Sequence, residues 1–263
     1  MFNLKGSFAL ITGVGAKNGI GFHAASTLLA MECSLIITST TDRIFERQSE
    51  LELLAQARFG TQAPRVIAHK ADLIDTQEVE QLVSGIEQLD ILVNNAGMSS
   101  LIQPLAENEQ IDLVQLTDEA WSQGISRNLD TAFKVTRESL PLIRNSLNGR
   151  IIFVSSVTGG LMAMRQQPAY ASSKAALIGL MRSVAIDEGV HGITANAVLP
   201  GWIETDTQTN QEANQGKRSA LGRSGKPAEV ASTIAWLASK EAGYITGQAI
   251  VVDGGNSIAE ERA

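Results

Sequence analysis

Tyr170 and Lys174 stand four residues apart in Tyr170-Ala-Ser-Ser-Lys174, with Ser155-Ser156 closing an apolar run upstream and Asn128 further back. On a helix, that spacing puts a phenol and an ammonium on one face, about 5–6 Å apart at Cβ. A nearby cation favours phenolate over phenol and so lowers a pKa that is ordinarily about 10. A phenol tuned in this way can pass a proton to or from an alcohol or carbonyl oxygen near neutral pH. The same pair is also found as an ordinary surface pair, so the chemical reading requires a cofactor site elsewhere in the chain.

Short apolar runs alternate with helix-period segments and supply the elements that must position these residues. Strands are predicted at 8–12, 34–38, 65–69, 91–94, 150–154, 194–199 and 249–252, and helices at 21–31, 44–57, 76–88, 118–140, 169–188 and 227–238. Ile91-Leu-Val93 and Ile151-Ile-Phe-Val154 are continuous apolar runs, as in strands buried on both faces. Repeated βαβ alternation predicts one α/β domain over 1–263, a Rossmann-type doubly wound parallel β-sheet with helices on both faces. Ligands of such sheets bind beyond the carboxyl ends of the strands. Gly13, Asn94, Ser156 and Pro200 each close a strand at that end.

The first strand runs into Thr12-Gly-Val-Gly-Ala-Lys-Asn-Gly19-Ile-Gly21 and then a helix. Glycines at such a junction allow a tight turn and close backbone approach to a pyrophosphate, which the helix N-terminus favours electrostatically. The formal net charge of −7 argues against nucleic-acid and anionic-membrane partners. The single cysteine, Cys33, rules out an internal disulfide and a cysteine-based metal site. His23, His69 and His191 form no metal pattern, and no metal is expected. With no apolar signal segment in residues 1–6 and no long apolar span, the expectation is a soluble cytoplasmic protein.

Taken in order, these residues resemble the short-chain dehydrogenase/reductase family over nearly the whole chain. The resemblance rests on the glycine turn, Asp72-Leu73, Asn94-Asn-Ala-Gly97, Asn128-Leu, Ser155-Ser156 and Tyr170…Lys174. It continues through Pro200-Gly-Trp-Ile-Glu-Thr205 and Tyr244-Ile-Thr-Gly247…Val252-Asp-Gly-Gly255. The family's usual turn is Thr-Gly-x-x-x-Gly-x-Gly. Two extra residues separate Gly13 from Gly19 here, which leaves open which of Val14 to Asn18 touch the phosphates.

The resemblance implies hydride transfer between a nicotinamide and a ketone or secondary alcohol. It casts Tyr170 as acid/base, and Lys174 as the residue that lowers the phenol pKa and binds the ribose. Ser156 becomes the partner of the substrate oxygen, and Asn128 the holder of a water in a proton relay. It implies cofactor binding by Gly13, Gly19, Ile20, Gly21, Ser39, Thr40, Arg43, Asp72, Leu73, Asn95, Ala96 and Gly97, with Tyr170 and Lys174. Pro200, Gly201, Ile203 and Thr205 complete that set. An acid at the end of the second strand would bind the ribose hydroxyls of NAD(H). Ser39 stands there instead, with Arg43 close enough to pair with a 2′-phosphate, although Asp42 could partly cancel it. NADP(H) is therefore expected, and NAD(H) is disfavoured.

Two segments depart from a minimal reductase: an extended loop at 98–116, rich in apolar residues among acids, and a polar stretch at 202–217 expected to be a mobile substrate lid. The C-terminal half is similar to 3-oxoacyl-acyl-carrier-protein reductases at Pro200-Gly-Trp-Ile-Glu-Thr-Asp206 and Gly222-Arg-Ser-Gly-Lys-Pro227. An acidic carrier protein needs a basic docking face, and Asp187-Glu-Gly-Val-His191 is acidic. A free ketone or secondary alcohol leads as substrate class, with 3-oxoacyl thioesters second. A dinucleotide-binding regulator without turnover is the non-enzymatic alternative. The long helices at 118–140 and 169–188 are expected to pair in a homotetramer, as is usual in the family.

Overall fold

A computed structural model describes residues 2–97 and 111–260. The first half of the chain alternates β1 (Phe8–Thr12), α1 (Ile20–Ala30), β2 (Ser34–Ser39), α2 (Arg43–Phe59), β3 (Val66–Lys70), α3 (Thr76–Ser84) and β4 (Ile91–Asn94). After the undescribed stretch come α4 (Asp118–Ile125), a π-helical turn (Ser126–Asp130), α5 (Thr131–Ile143), β5 (Arg150–Val154) and the short α6 (Val157–Gly160). They are followed by α7 (Pro168–Glu188), β6 (Thr194–Pro200), α8 (Asn210–Gly216), α9 (Pro227–Ala238) and β7 (Ala249–Val252).

The seven strands form one sheet in the order β3-β2-β1-β4-β5-β6-β7, parallel throughout. Because side chains alternate across a strand, β1 feeds both cores. Ala9 and Ile11 join Leu28 of α1, Leu51 of α2 and Ile234 of α9 on one face. Leu10 joins Leu82 of α3, Val135 of α5 and Met181 of α7 on the other. The same alternation sends Ile152 and Val154 of β5 to the first layer and Ile151 and Phe153 to the second. Every residue of the central strands β4, β5 and β6 is buried, as their apolar runs require. Strand order reverses between β1 and β4, so the connections leaving their carboxyl ends diverge and open a crevice.

The sheet and its doubly wound layout are as expected, with strand limits shifted by at most one residue. The helices differ in four places, one of them the short α6, which was not expected. The helix expected over 118–140 is broken by the π-helical turn at Ser126–Asp130, where the Asn128 side chain donates to the Gly124 carbonyl at 3.0 Å. The helix expected over 76–88 stops at Ser84, because the Ile86 amide turns back to the Val83 carbonyl at 3.0 Å. The polar stretch at 202–217 contains a helix of its own, α8. Thr209 and Glu212 form a capping box at its start: the Glu212 carboxylate accepts from the Thr209 amide at 2.7 Å, and the Thr209 hydroxyl accepts from the Glu212 amide at 3.2 Å. Most of the extended loop expected at 98–116 lies outside the described residues. In the part that is described, Leu113 and Val114 are exposed.

Candidate active site

Thr12 at the end of β1 fastens the glycine turn to the turn after β4. Its hydroxyl accepts from the Asn95 and Ala96 amides at 3.0 and 2.9 Å. The Asn95 side chain returns to the Thr12 and Gly13 carbonyls at 2.9 and 3.1 Å. Gly13 has φ 74°, and a Cβ there would lie 2.9 Å from Ala96 Cα. A Cβ on Gly21 would come within 2.5 Å of the Gly13 carbonyl oxygen. Any side chain at either position would push the two turns apart. The glycines therefore bring bare backbone to the floor of the crevice, as a bound diphosphate requires.

The crevice is a groove lined by Gly13, Gly15, Ala16, Ser39, Thr40, Thr41 and Arg43 on one side, with Asp72, Leu73, Asn95, Ala96, Gly97, Thr131 and Thr207 among its other walls. Nine residues singled out from sequence thus share it: Gly13, Ser39, Thr40, Arg43, Asp72, Leu73, Asn95, Ala96 and Gly97. Gly19, Ile20, Gly21, Tyr170, Lys174, Pro200, Gly201, Ile203 and Thr205 do not line it. Gly21 instead supports the turn from beneath.

Within the lengthened turn the roles separate. Val14 is buried and its amide bonds the Thr38 carbonyl at 3.0 Å, while Gly15 and Ala16 face the groove. Lys17 reaches away to Glu50 at 3.0 Å. Sequence reasoning left Gly15 and Ala16 unresolved and missed Thr131 and Thr207. A Cβ on Gly15 would sit 3.2 Å from the Ser39 hydroxyl, a tight approach that ties the turn to the end of β2.

At the inner end of the groove, Gly97 meets the other set of residues. A Cβ on Gly97 would lie 3.0 Å from Asn128 Oδ1 and 3.2 Å from Lys174 Nζ, so both polar groups close on its bare backbone. The wide π turn is what carries Asn128 there, and such turns recur at functional sites. The Lys174 ammonium donates to the Val154 carbonyl at 3.1 Å and lies 5.7 Å from the centre of the Tyr170 ring. The Ser156 hydroxyl lies near enough to the Tyr170 hydroxyl to act on its pKa, and accepts from the Thr158 amide at 3.1 Å. Gly159 makes this approach possible: at φ 90° it passes so close to α7 that a Cβ would sit 2.1 Å from the Ala171 carbonyl oxygen. Asn128 of the π turn, Ser156 at the start of α6, and Tyr170 and Lys174 of α7 are thus brought together from three segments.

The electrostatics differ from the sequence argument in one respect. Lys174 was expected to lower the Tyr170 pKa. Here the phenol is pushed up, chiefly by burial and further by the Glu212 carboxylate, with the Ser156 hydroxyl pulling the other way. Burial also lowers the Lys174 ammonium to about 8, which weakens the charge that was to act on the phenol.

Pro200 and Gly201 end β6 against β7. The Gly201 amide bonds the Val252 carbonyl at 3.0 Å, and a Cβ on Gly201 would strike Asp253 at 2.6 Å. Ile203 then pairs with Gly225, and Thr205 shares a hydroxyl contact with Thr207 at 3.1 Å. Among the described residues, no group of three or more His, Cys, Asp or Glu side chains could hold a metal ion, and no helix is long and apolar enough to cross a membrane.

Comparison with known proteins agrees with this geometry. A family described as "Enoyl-(Acyl carrier protein) reductase" matches residues 13–257. The 3-oxoacyl-acyl-carrier-protein reductase FabG of Escherichia coli is 34% identical over 258 residues, covering 96% of this chain and 98% of its own. The oxidoreductase UcpA of Salmonella typhimurium is 33% identical over 276 residues, with 99% and 98% coverage. Among solved structures, a dehydrogenase/reductase from Sinorhizobium meliloti superposes with a TM-score of 0.84 at 30% identity, covering 98% of this chain and 97% of that one. A 3-oxoacyl-acyl-carrier-protein reductase with bound NAD from Brucella melitensis gives 0.84 at 28% identity, covering 97% and 92%. With its fold, its groove and these full-length likenesses in agreement, the chain belongs to the short-chain dehydrogenase/reductase family of oxidoreductases.

Proposed function

We propose that this protein is an NADP(H)-dependent reductase of ketones, working in reverse as a secondary-alcohol dehydrogenase, with Tyr170 as its general acid/base. The observation that carries the reading is the Ser156–Tyr170 hydroxyl pair beside the point where Lys174 and Asn128 converge on Gly97. Two hydroxyls this near each other can both donate to one carbonyl oxygen that enters between them. A nicotinamide dinucleotide held by Gly13, Gly15, Ala16, Asn95, Ala96 and Gly97 supplies the hydride. Tyr170 gives its proton to the carbonyl oxygen as negative charge develops there. Ser156 hydrogen-bonds the same oxygen and stabilises that charge. Lys174 steadies the phenolate left behind, and Asn128 beside it holds the water through which the replacing proton passes. A phenol pushed above its ordinary range remains protonated at neutral pH, the form that reduction requires.

The choice of NADP(H) is supported by Ser39, Thr40 and Arg43 together on the groove wall, where an acid would serve NAD(H). Asp42, the acid next to Arg43 in the chain, is paired with Lys70 at 3.0 Å. A homotetramer is supported by Trp121 on α4 and Phe133 on α5, large apolar side chains more than a third exposed.

Reduction of 3-oxoacyl thioesters is the second reading, favoured by the names of the relatives. A carrier-protein substrate is less well supported. The carboxyl end of α7 presents Asp187, and the neighbouring Arg144 is engaged by Glu188 in two hydrogen bonds of 2.8 and 2.6 Å. Initial rates with NADPH and NADH across simple ketones, keto-esters and acetoacetyl thioesters test both readings. Preferential reduction of free ketones with NADPH is expected. A thioester preference would move the assignment to the second reading, and no turnover of any carbonyl would leave a dinucleotide-binding regulator.

A further inference from the structure

Lys17 and Asn18, within the lengthened glycine turn, are exposed, and each reaches a different element. Lys17 Nζ pairs with Glu50 Oε1 at 3.0 Å, and the other Glu50 oxygen lies 3.3 Å from Arg47 Nε, so this side is fixed to α2. Asn18 faces the lid, 188 positions away in the chain. Its backbone amide donates to Asp206 Oδ2 at 3.1 Å and its side-chain amide to Asp206 Oδ1 at 2.8 Å, so one carboxylate is gripped at both oxygens. Asp206 lies between Thr205 and Thr207, whose hydroxyls are 3.1 Å apart, and Thr207 itself lines the groove with Gly13, Gly15 and Ala16.

We infer that Lys17-Asn18 is a strap across the mouth of the dinucleotide groove, and that the Asn18–Asp206 contact is the latch that holds the lid over a bound cofactor and positions Thr205 and Thr207 against it. The physical basis is threefold. Hydrogen bonds to a carboxylate are stronger than neutral ones, and a two-point grip fixes orientation as well as distance. Lid opening governs ligand release in many enzymes, so a contact made only when the lid is shut slows departure more than arrival. Anchoring through Lys17 ties the latch to α2, whose first residue, Arg43, is on the groove wall. Asn18 and Asp206 are positioning residues, acting on the cofactor through Thr205 and Thr207.

This inference rests on the dinucleotide reading of the groove, and the test separates the two. NADPH binding and release are followed by cofactor fluorescence in stopped flow for the wild type, Asn18→Ala, Asp206→Ala, the double variant, and the exchanged pair Asn18→Asp with Asp206→Asn. Each single variant is expected to speed NADPH release about tenfold and to raise KM for NADPH, with KM for the ketone within twofold. The double variant is expected to be no worse than either single one, and the exchanged pair to recover part of the loss. Tight NADPH binding with release unchanged in both single variants would overturn the latch alone. Failure of the wild type to bind either NADPH or NADH would overturn the groove reading and the latch with it.

Discussion

The Ser155 hydroxyl donates to the Lys174 carbonyl oxygen at 2.7 Å, so the first serine of the pair holds the backbone of α7 while its neighbour meets the tyrosine side chain. Adjacent residues at the end of a strand point to opposite sides, and that alone divides the two jobs. Ser155 is buried and structural in this arrangement, and Ser156 faces the reacting oxygen of the proposed mechanism. Ser156→Ala is expected to lower kcat by about 10²–10³-fold, the usual loss of one donor to a developing oxyanion, and to cost about 1 kcal/mol of stability through the lost cap on the Thr158 amide. Ser155→Ala is expected to cost about 1 kcal/mol of stability, the ordinary value of one buried hydrogen bond, with a smaller loss of kcat. Ketone turnover and urea melts on both variants check the division. Equal kinetic losses would refute it.

The raised Tyr170 phenol gives a spectroscopic prediction for the protein without cofactor. Burial, the largest cause, favours the neutral form, so phenolate absorbance from Tyr170 is expected only above pH 10. The chain has two tyrosines, so the difference between wild type and Tyr170→Phe isolates this one. Tyr170→Phe keeps the ring and removes the proton donor, and is expected to lower carbonyl reduction by at least about 10²-fold, the smaller figure typical for general acid catalysis. Ionisation of Tyr170 near pH 7 in the free protein would contradict the structure's electrostatics.

Much of this was legible in the sequence because it depended on local pattern. The apolar runs within Ile91–Asn94 and Arg150–Val154 read as buried strands, and Gly13, Ser39 and Arg43, read as cofactor contacts, share one groove. Thr209-x-x-Glu212 carried the capping-box signature of α8, yet the polar composition around it pointed to an irregular lid. The break at Ser126–Asp130 had no such signal. There the Asn128 side chain bonds the Gly124 carbonyl, and the turn packs against Gly97 and α7, tertiary neighbours that local pattern does not reveal. The sign of the Tyr170 shift was likewise not readable, because spacing along a helix brings Lys174 close but says nothing of how deeply either group is buried.

A buried ammonium at pKa about 8 makes stability depend on pH in a defined sense. Below pH 8 the folded and unfolded chains both hold the Lys174 proton, and the full cost of burying the charge is present. Between about 8 and the ordinary 10.5 the unfolded chain binds more protons, so this group's contribution to stability rises with pH. Lys174→Met removes the cost along with the hydrogen bond to Val154. It is expected to stabilise the protein by roughly 1–3 kcal/mol at pH 7, a gain that shrinks toward pH 10.5, while abolishing turnover. Denaturant melts across that range measure it, and a gain that stayed constant with pH would show that burial does not shift the lysine at all.

Cofactor choice turns on three charges at the open end of the groove. Arg43 lines the wall, Asp42 precedes it, and Lys70 draws the Asp42 carboxylate to 3.0 Å. Arg43→Ala is expected to reduce the NADPH-over-NADH preference in kcat/KM by at least about tenfold, the loss of a charge-assisted pair worth roughly 1.4 kcal/mol or more. Asp42 and Lys70 are both at least half exposed, so their pair is weak and its effect is graded. Asp42→Asn removes an opposing charge and is expected to raise the preference about two- to threefold, and more at low salt than at high salt. Lys70→Ala frees the carboxylate to face Arg43 and is expected to lower it by a similar factor. The double variant is expected to keep the raised preference of Asp42→Asn, because Lys70 acts mainly by restraining the Asp42 carboxylate. Kinetics with both cofactors at two ionic strengths decide the matter: an Arg43→Ala enzyme that kept its full preference would place 2′-phosphate recognition elsewhere on the groove wall.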